Sequence, residues 1–149
     1  MAISNNFKNR LSQLVAESDF FKSDIAKDIG VGSSSFFHAI NYGILPSTRT
    51  LVKIADYFAV SISYLLGETD VNEFIPAATP VTFYERFSEL CKEKSVTHYK
   101  VGNDCGFDKS IISRWAYKGY LPVLEIVDIL CSYFNVSADY LLGRTDFKH

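Results

Sequence analysis

The sequence predicts an all-α chain in which one five-helix unit is written twice. Three observations carry this. Shifting the chain by 76 residues lays Phe7–Asp70 on Phe83–Asp146 without a gap, and 21 of the 64 pairs are identical. Apolar residues recur at helical spacing: Phe7, Leu11, Leu14 and Val15 match Phe83, Phe87, Leu90 and Cys91, at i, i+4, i+7 and i+8. No stretch alternates polar and apolar as a half-buried strand would. The repeat is longer than a solenoid period of roughly 20–50 residues. Each copy therefore holds enough chain for its own small core, near the lower size limit.

Each copy is punctuated in the same order. The first helix of the second copy opens on Thr82 and Glu85, at capping-box spacing. The second helix is expected over Lys22–Ile29 and His98–Cys105. In the later copy Thr97 caps it, and Val101 and Cys105 make its apolar stripe. Gly30 and Gly106 end it where a left-handed residue is usual. The third helix is expected over Ser33–Asn41 and Lys109–Tyr117, with Asp108 as a cap. Ile112 and Trp115 then face inward, and Lys109, Ser110, Ser113 and Arg114 face out. Pro46 and Pro122 mark the following loop. The fourth helix buries Leu51, Ile54, Ala55 and Phe58, then Val127, Leu130, Cys131 and Phe134. A last helix of one or two turns is capped by Ser61 or Ser137 and stopped by Gly67 or Gly143.

Ala26 and Gly102 share one slot in the second helix. A small residue there lets the second and third helices pack closely. Glycine inside a helix costs about 1 kcal/mol relative to alanine. Gly102→Ala is therefore expected to be tolerated or stabilising, and Gly102→Leu to collapse the second copy.

The expected division is a domain over residues 1–70, a linker over 71–82 and a domain over 83–149. Pro76 and Pro80 argue against a helix in the linker. Its length reaches at most about 40 Å when extended. It is either a free tether or, with Phe74 and Ile75 docked, a brace for a compact pair; the sequence leaves both open.

Composition excludes several classes. With 48% hydrophobic and 21% charged residues the chain is globular. No apolar run approaches the ~20 residues of a membrane span. MAISNNFKNR lacks the apolar core of a signal peptide, so a cytoplasmic address is expected. A net charge of −2 counts against an indiscriminate polycation, though not against cations gathered on one face. Cys91, Cys105 and Cys131 have neither metal-knuckle nor redox spacing, and they match Val15, Ile29 and Ala55. They are expected to be reduced core thiols. His38 and His98 lack acidic or cysteine neighbours at metal spacing, and His149 is terminal. No metal, cofactor or small-molecule ligand is expected. No nucleophile elbow, glycine-rich phosphate loop or HExxH pair is present, so no enzyme is expected.

The stretch SVTHYKVGNDCGFDKSIISRWAYKGYLP reads as helix, tight turn, helix. Short hydroxyls and two cations near a helix start suit phosphates and base edges of a DNA major groove. GFDKSIISRW followed by KGYLP, and then VLEIVDILCSYFNVSADYLLGRTD, resembles the lambda-repressor-like (Cro/XRE) helix-turn-helix family. The likeness covers nearly all of the second half and recurs in the first. It implies two tandem five-helix lambda-repressor-like DNA-binding domains. It further implies that the third helix enters the major groove, its first two residues and its sixth pointing at bases. The start of the second helix and the loop after the third would hold phosphates.

In the second copy those positions are Lys109, Ser110, Ser113 and Arg114, with His98 opening the second helix and Lys118 in the loop. Arg114 suits guanine O6 and N7, while Lys109 and Lys118 suit phosphates. In the first copy they are Ser33, Ser34, Phe37 and His38, with Lys22 at the second helix, Tyr42 in the loop and Arg49 after Pro46. Nothing on that helix is permanently cationic. Phe37 suits a thymine methyl, but an exposed Phe beside His38 also suits a protein contact. Ala116 and Ile40 depart from the family, which often has an acidic residue there. The resemblance implies a transcriptional regulator, acting as a repressor on double-stranded DNA, alone or as a homodimer. The alternative is a protein-interaction module or antitoxin-like adaptor that keeps the fold.

Overall fold

The computed structural model describes residues 2–149, the side chain of Lys118 excepted. The chain is all-α. The described residues form ten helices and, in place of a sheet, one isolated antiparallel bridge between Ile3 and Ile44. None of these helices is long and apolar enough to cross a membrane. The chain divides into two compact units, Met1–Phe74 and Ile75–His149.

In the first unit the helices are α1 (Asn5–Glu17), α2 (Lys22–Ile29), α3 (Ser33–Tyr42), α4 (Thr48–Phe58) and α5 (Ile62–Leu65). Ser4, Ser47 and Ser61 start α1, α4 and α5 by accepting a hydrogen bond from a first-turn N–H. α1 packs on α3 and α5, α2 on α3 and α4, and α4 on α5. Their shared core holds Phe7, Leu11, Ile25, Phe36, Leu51 and Ile54, each with at most 1% exposure.

The second unit repeats the order with α6 (Phe83–Lys94), α7 (His98–Cys105), α8 (Lys109–Lys118), α9 (Leu124–Phe134) and α10 (Ala138–Leu141). Thr82 and Glu85 form the full capping box, at 3.2 Å in each direction. Thr97, Asp108 and Ser137 cap α7, α8 and α10. The two cores are filled differently. Ala39 and Phe36 of α3 become Trp115 and Ile112 of α8, all of them buried. Trp115 makes edge contacts with Phe83, Phe87 and Phe107, with ring centroids 5.0, 5.3 and 5.9 Å apart. The large ring thus stands one helical turn further along in α8, and Ile112 with Trp115 fills more volume than Phe36 with Ala39.

Residues 71–82 are taken up by the units. In the first unit Asn72 Oδ1 accepts from the Ser61 and Phe74 N–H groups, and its Nδ2 donates to the Ala59 carbonyl. In the second, Thr145 Oγ1 donates to the Ile75 carbonyl at 2.7 Å, and the Ala77 and Ala78 N–H groups donate to Arg144 O and Asp146 Oδ2.

Some expectations need correction. Leu14, Phe58, Cys105, Cys131 and Phe134 are only half-buried, because they lie at the margins of their helical stripes. α3 and α8 each run one residue further than expected. The expectation for Gly102→Ala fails. A Cβ on Gly102 would stand 2.7 Å from the Phe107 carbonyl oxygen, so the interhelix turn occupies the space alanine needs. Ala26 fits the same slot in the first unit, at 1% exposure. The slot demands a small residue in one copy and glycine in the other.

Candidate functional site

α8 begins where the Asp108 carboxylate accepts from the Ser110 N–H at 3.0 Å. That start sets the helix phase. Ile112 and Trp115, each 2% exposed, turn inward. Lys109, Ser110, Ser113 and Arg114 are all exposed. Neither the Lys109 ammonium nor the Arg114 guanidinium is ion-paired among the described residues. Lys100 on α7 differs. Its Nζ lies 3.2 Å from Asp104 Oδ2, and the Tyr133 hydroxyl donates to the same carboxylate at 2.7 Å. These two partners, the phenol first, hold Asp104 below the usual carboxylate range. The phenol in turn is pushed up to about 12, because ionising it would remove its bond to the carboxylate. The open cations thus sit on α8, whereas this cation of α7 is already committed.

Three of the expected residues come together. His98, Lys109 and Ser113 line one groove of about 240 Å³. Ser110 and Arg114 lie outside its lining. The side chain of Lys118 lies outside the described residues. His98 is half-buried, its ring centroid 5.2 Å from Phe87 and 6.0 Å from Tyr84. It packs as well as lines.

The first unit offers a different face. Ser33, Ser34 and His38 are exposed on α3, and His38 lies 6.0 Å from Tyr42. Phe37 is half-buried, which corrects the exposed phenylalanine expected there. Lys22 and Arg49 are exposed as the first residue of α2 and the second of α4. Phe20 and Phe21, just before α2, are 58% and 80% exposed.

The residue reading missed three tyrosines. Tyr84, Tyr99 and Tyr117 also line the second unit's groove. Tyr99 and Tyr117 are 63% and 87% exposed. The signal was present in the repeat, because the first copy has Lys8, Ser23 and Asn41 at these positions.

The thiols are poor candidates for chemistry. Burial pushes Cys91 up to about 11 and Cys131 up to about 12, and it raises Cys105 too. Among the described residues no group of three His, Cys, Asp or Glu side chains is placed to hold a metal ion. No protein-family model, curated protein or solved structure matches this chain.

Proposed function

We propose that the chain is a cytoplasmic, sequence-specific DNA-binding transcriptional regulator with one lambda-repressor-like helix-turn-helix domain in each unit. One observation carries the reading. α8 presents two uncommitted cations and two hydroxyls on a single exposed face, at the start of the second helix of a helix-turn-helix. In this reading Arg114 takes guanine O6 and N7, Ser110 and Ser113 take base edges or phosphates, and Lys109 takes a phosphate. The regulator acts by occupancy, as a repressor whose bound operator is closed to polymerase.

A second reading is favoured by the first unit. α3 carries no permanent cation, and two phenylalanines stand exposed before α2. That unit then serves as a protein-interaction module, as in an antitoxin or adaptor. Selection of bound duplexes from a random DNA pool at near-physiological salt tests both. Two half-sites at fixed spacing support DNA reading by both units. One half-site, or its palindrome, assigns reading to α8 and interaction to the first unit. Binding that enriches no sequence and vanishes as salt rises leaves only phosphate attraction, and sinks the regulator.

A further inference from the structure

The groove beside α8 is built for more than a phosphate. Tyr84, His98, Tyr99 and Tyr117 supply four aromatic rings, and Lys109 supplies a cation. Ser113 and Ala116 line it with little bulk. The first copy serves as an internal control on what the fold requires. There the same positions hold Lys8, Lys22, Ser23 and Asn41 in place of the rings, and Phe37 and Ile40 in place of the small residues. The same five-helix order forms without the rings. Packing therefore does not explain Tyr99 and Tyr117, which are largely exposed. The second copy has gained rings around a space and lost bulk from its lining.

Rings beside a cation, in an open groove, suit a flat π-face joined to an anion. We propose that this groove stacks an unpaired nucleobase of single-stranded DNA, with Lys109 on the adjoining phosphate. Tyr99 and Tyr117 supply the stacking faces, and Ser113 leaves the room. Base stacking on aromatic side chains tolerates any sequence, because every base has a π-face. The inference rests on the nucleic-acid reading of α8 but asks more of it. A single strand and a duplex would compete for the second unit through Lys109.

The test uses the full chain and three probes: a short oligodeoxythymidylate, a duplex of the same length, and thymidine monophosphate. The variants import first-copy residues. Tyr99→Ser with Tyr117→Asn removes two rings, and Ser113→Phe fills the space. Melting followed by Trp115 fluorescence checks the fold of each. The double variant is expected to lose about tenfold to a hundredfold in affinity for the oligonucleotide and to keep duplex affinity within about threefold. Ser113→Phe is expected to show the same single-strand loss. Unchanged oligonucleotide binding in both variants overturns the proposal, as does an equal loss for duplex in the double tyrosine variant. Monophosphate binding as tight as the oligonucleotide overturns the strand as the occupant. Tyrosine-dependent single-strand binding without any duplex binding would support the groove and sink the regulator reading, so the two failures are distinguishable.

Discussion

The guanidinium of Arg86 lies 3.8 Å from the centroid of the Tyr140 ring, and Arg10 lies at the same 3.8 Å from Tyr64. The two pairs are related by the 76-residue repeat. In the second unit Arg86 is 5% exposed, and its Nη1 donates to the Tyr140 carbonyl at 2.9 Å and the Thr145 carbonyl at 3.3 Å. A buried planar cation thus ties α6 to the last turn of the unit. Arg86→Ala leaves both carbonyls without this donor and opens a cavity. It is expected to cost about 3 kcal/mol in urea unfolding followed by Trp115 fluorescence. Tyr140→Phe keeps the ring and should cost less than about 0.5 kcal/mol. Equal stability of the alanine variant and wild type would show that the stack is incidental.

Gly102→Ala should destabilise the second unit, against the helix-propensity gain of about 1 kcal/mol. The Phe107 carbonyl oxygen at 2.7 Å from the new Cβ belongs to the backbone, so the turn itself must shift. A net loss of about 1–2 kcal/mol is expected, read as a lower melting temperature by Trp115 fluorescence. A variant that melts at or above wild type refutes the tight turn.

Ala59 closes α4 in the left-handed region, at φ 54 and ψ 47. That conformation costs a residue with a Cβ roughly 1–2 kcal/mol. Ala59→Gly is therefore expected to stabilise the first unit by about 0.5–1 kcal/mol after glycine's entropic cost. Calorimetry of the full chain should show one transition rising while the other stays.

The second unit should lose stability in alkali. The thiols of Cys91 and Cys131 are raised to about 11 and about 12, and the Tyr133 phenol to about 12. Groups raised on folding stabilise fully below their unfolded pKa and cease to do so as pH climbs through the folded value. The window therefore opens near pH 9 for the thiols and near pH 10 for the phenol, and it closes by about pH 12. A disulfide reagent at pH 8 should react with Cys91 and Cys131 at least about a hundredfold more slowly in the folded chain than in urea. Equal rates would contradict their burial.

Arg114→Ala tests recognition. On the best duplex from the selection it should lose about tenfold to a hundredfold in affinity, since a bidentate guanine contact discriminates by about 1–3 kcal/mol. On random duplex the loss should stay within about threefold. A uniform loss, or none, would move Arg114 from base reading to an ordinary surface cation.

Much of the helical layout was legible because its causes are local. A cap and its N–H lie two or three residues apart, as in Thr82 with Glu85 and Asp108 with Ser110. The exposure of Lys109, Ser110, Ser113 and Arg114 followed from the helical period once Asp108 fixed the start. The groove was not legible, since Tyr84, Tyr99 and Tyr117 lie on three helices and meet only when these pack.

By itself, then, the sequence determined the all-α class, the repeat, the limits of the second and third helices of each copy to within a residue, and the outward face of α8. The repeat is read by comparing residues 76 apart, and the others rest on hydrogen bonds and periodicities within a few residues. The tertiary structure decided that Arg86 reaches Tyr140 and that Thr145 holds Ile75, contacts 54 and 70 residues apart along the chain. It also decided that the turn at Phe107 leaves Gly102 no room for a methyl group. Such contacts depend on where packed helices place distant atoms, and similar helical periodicities accommodate either filling of the core.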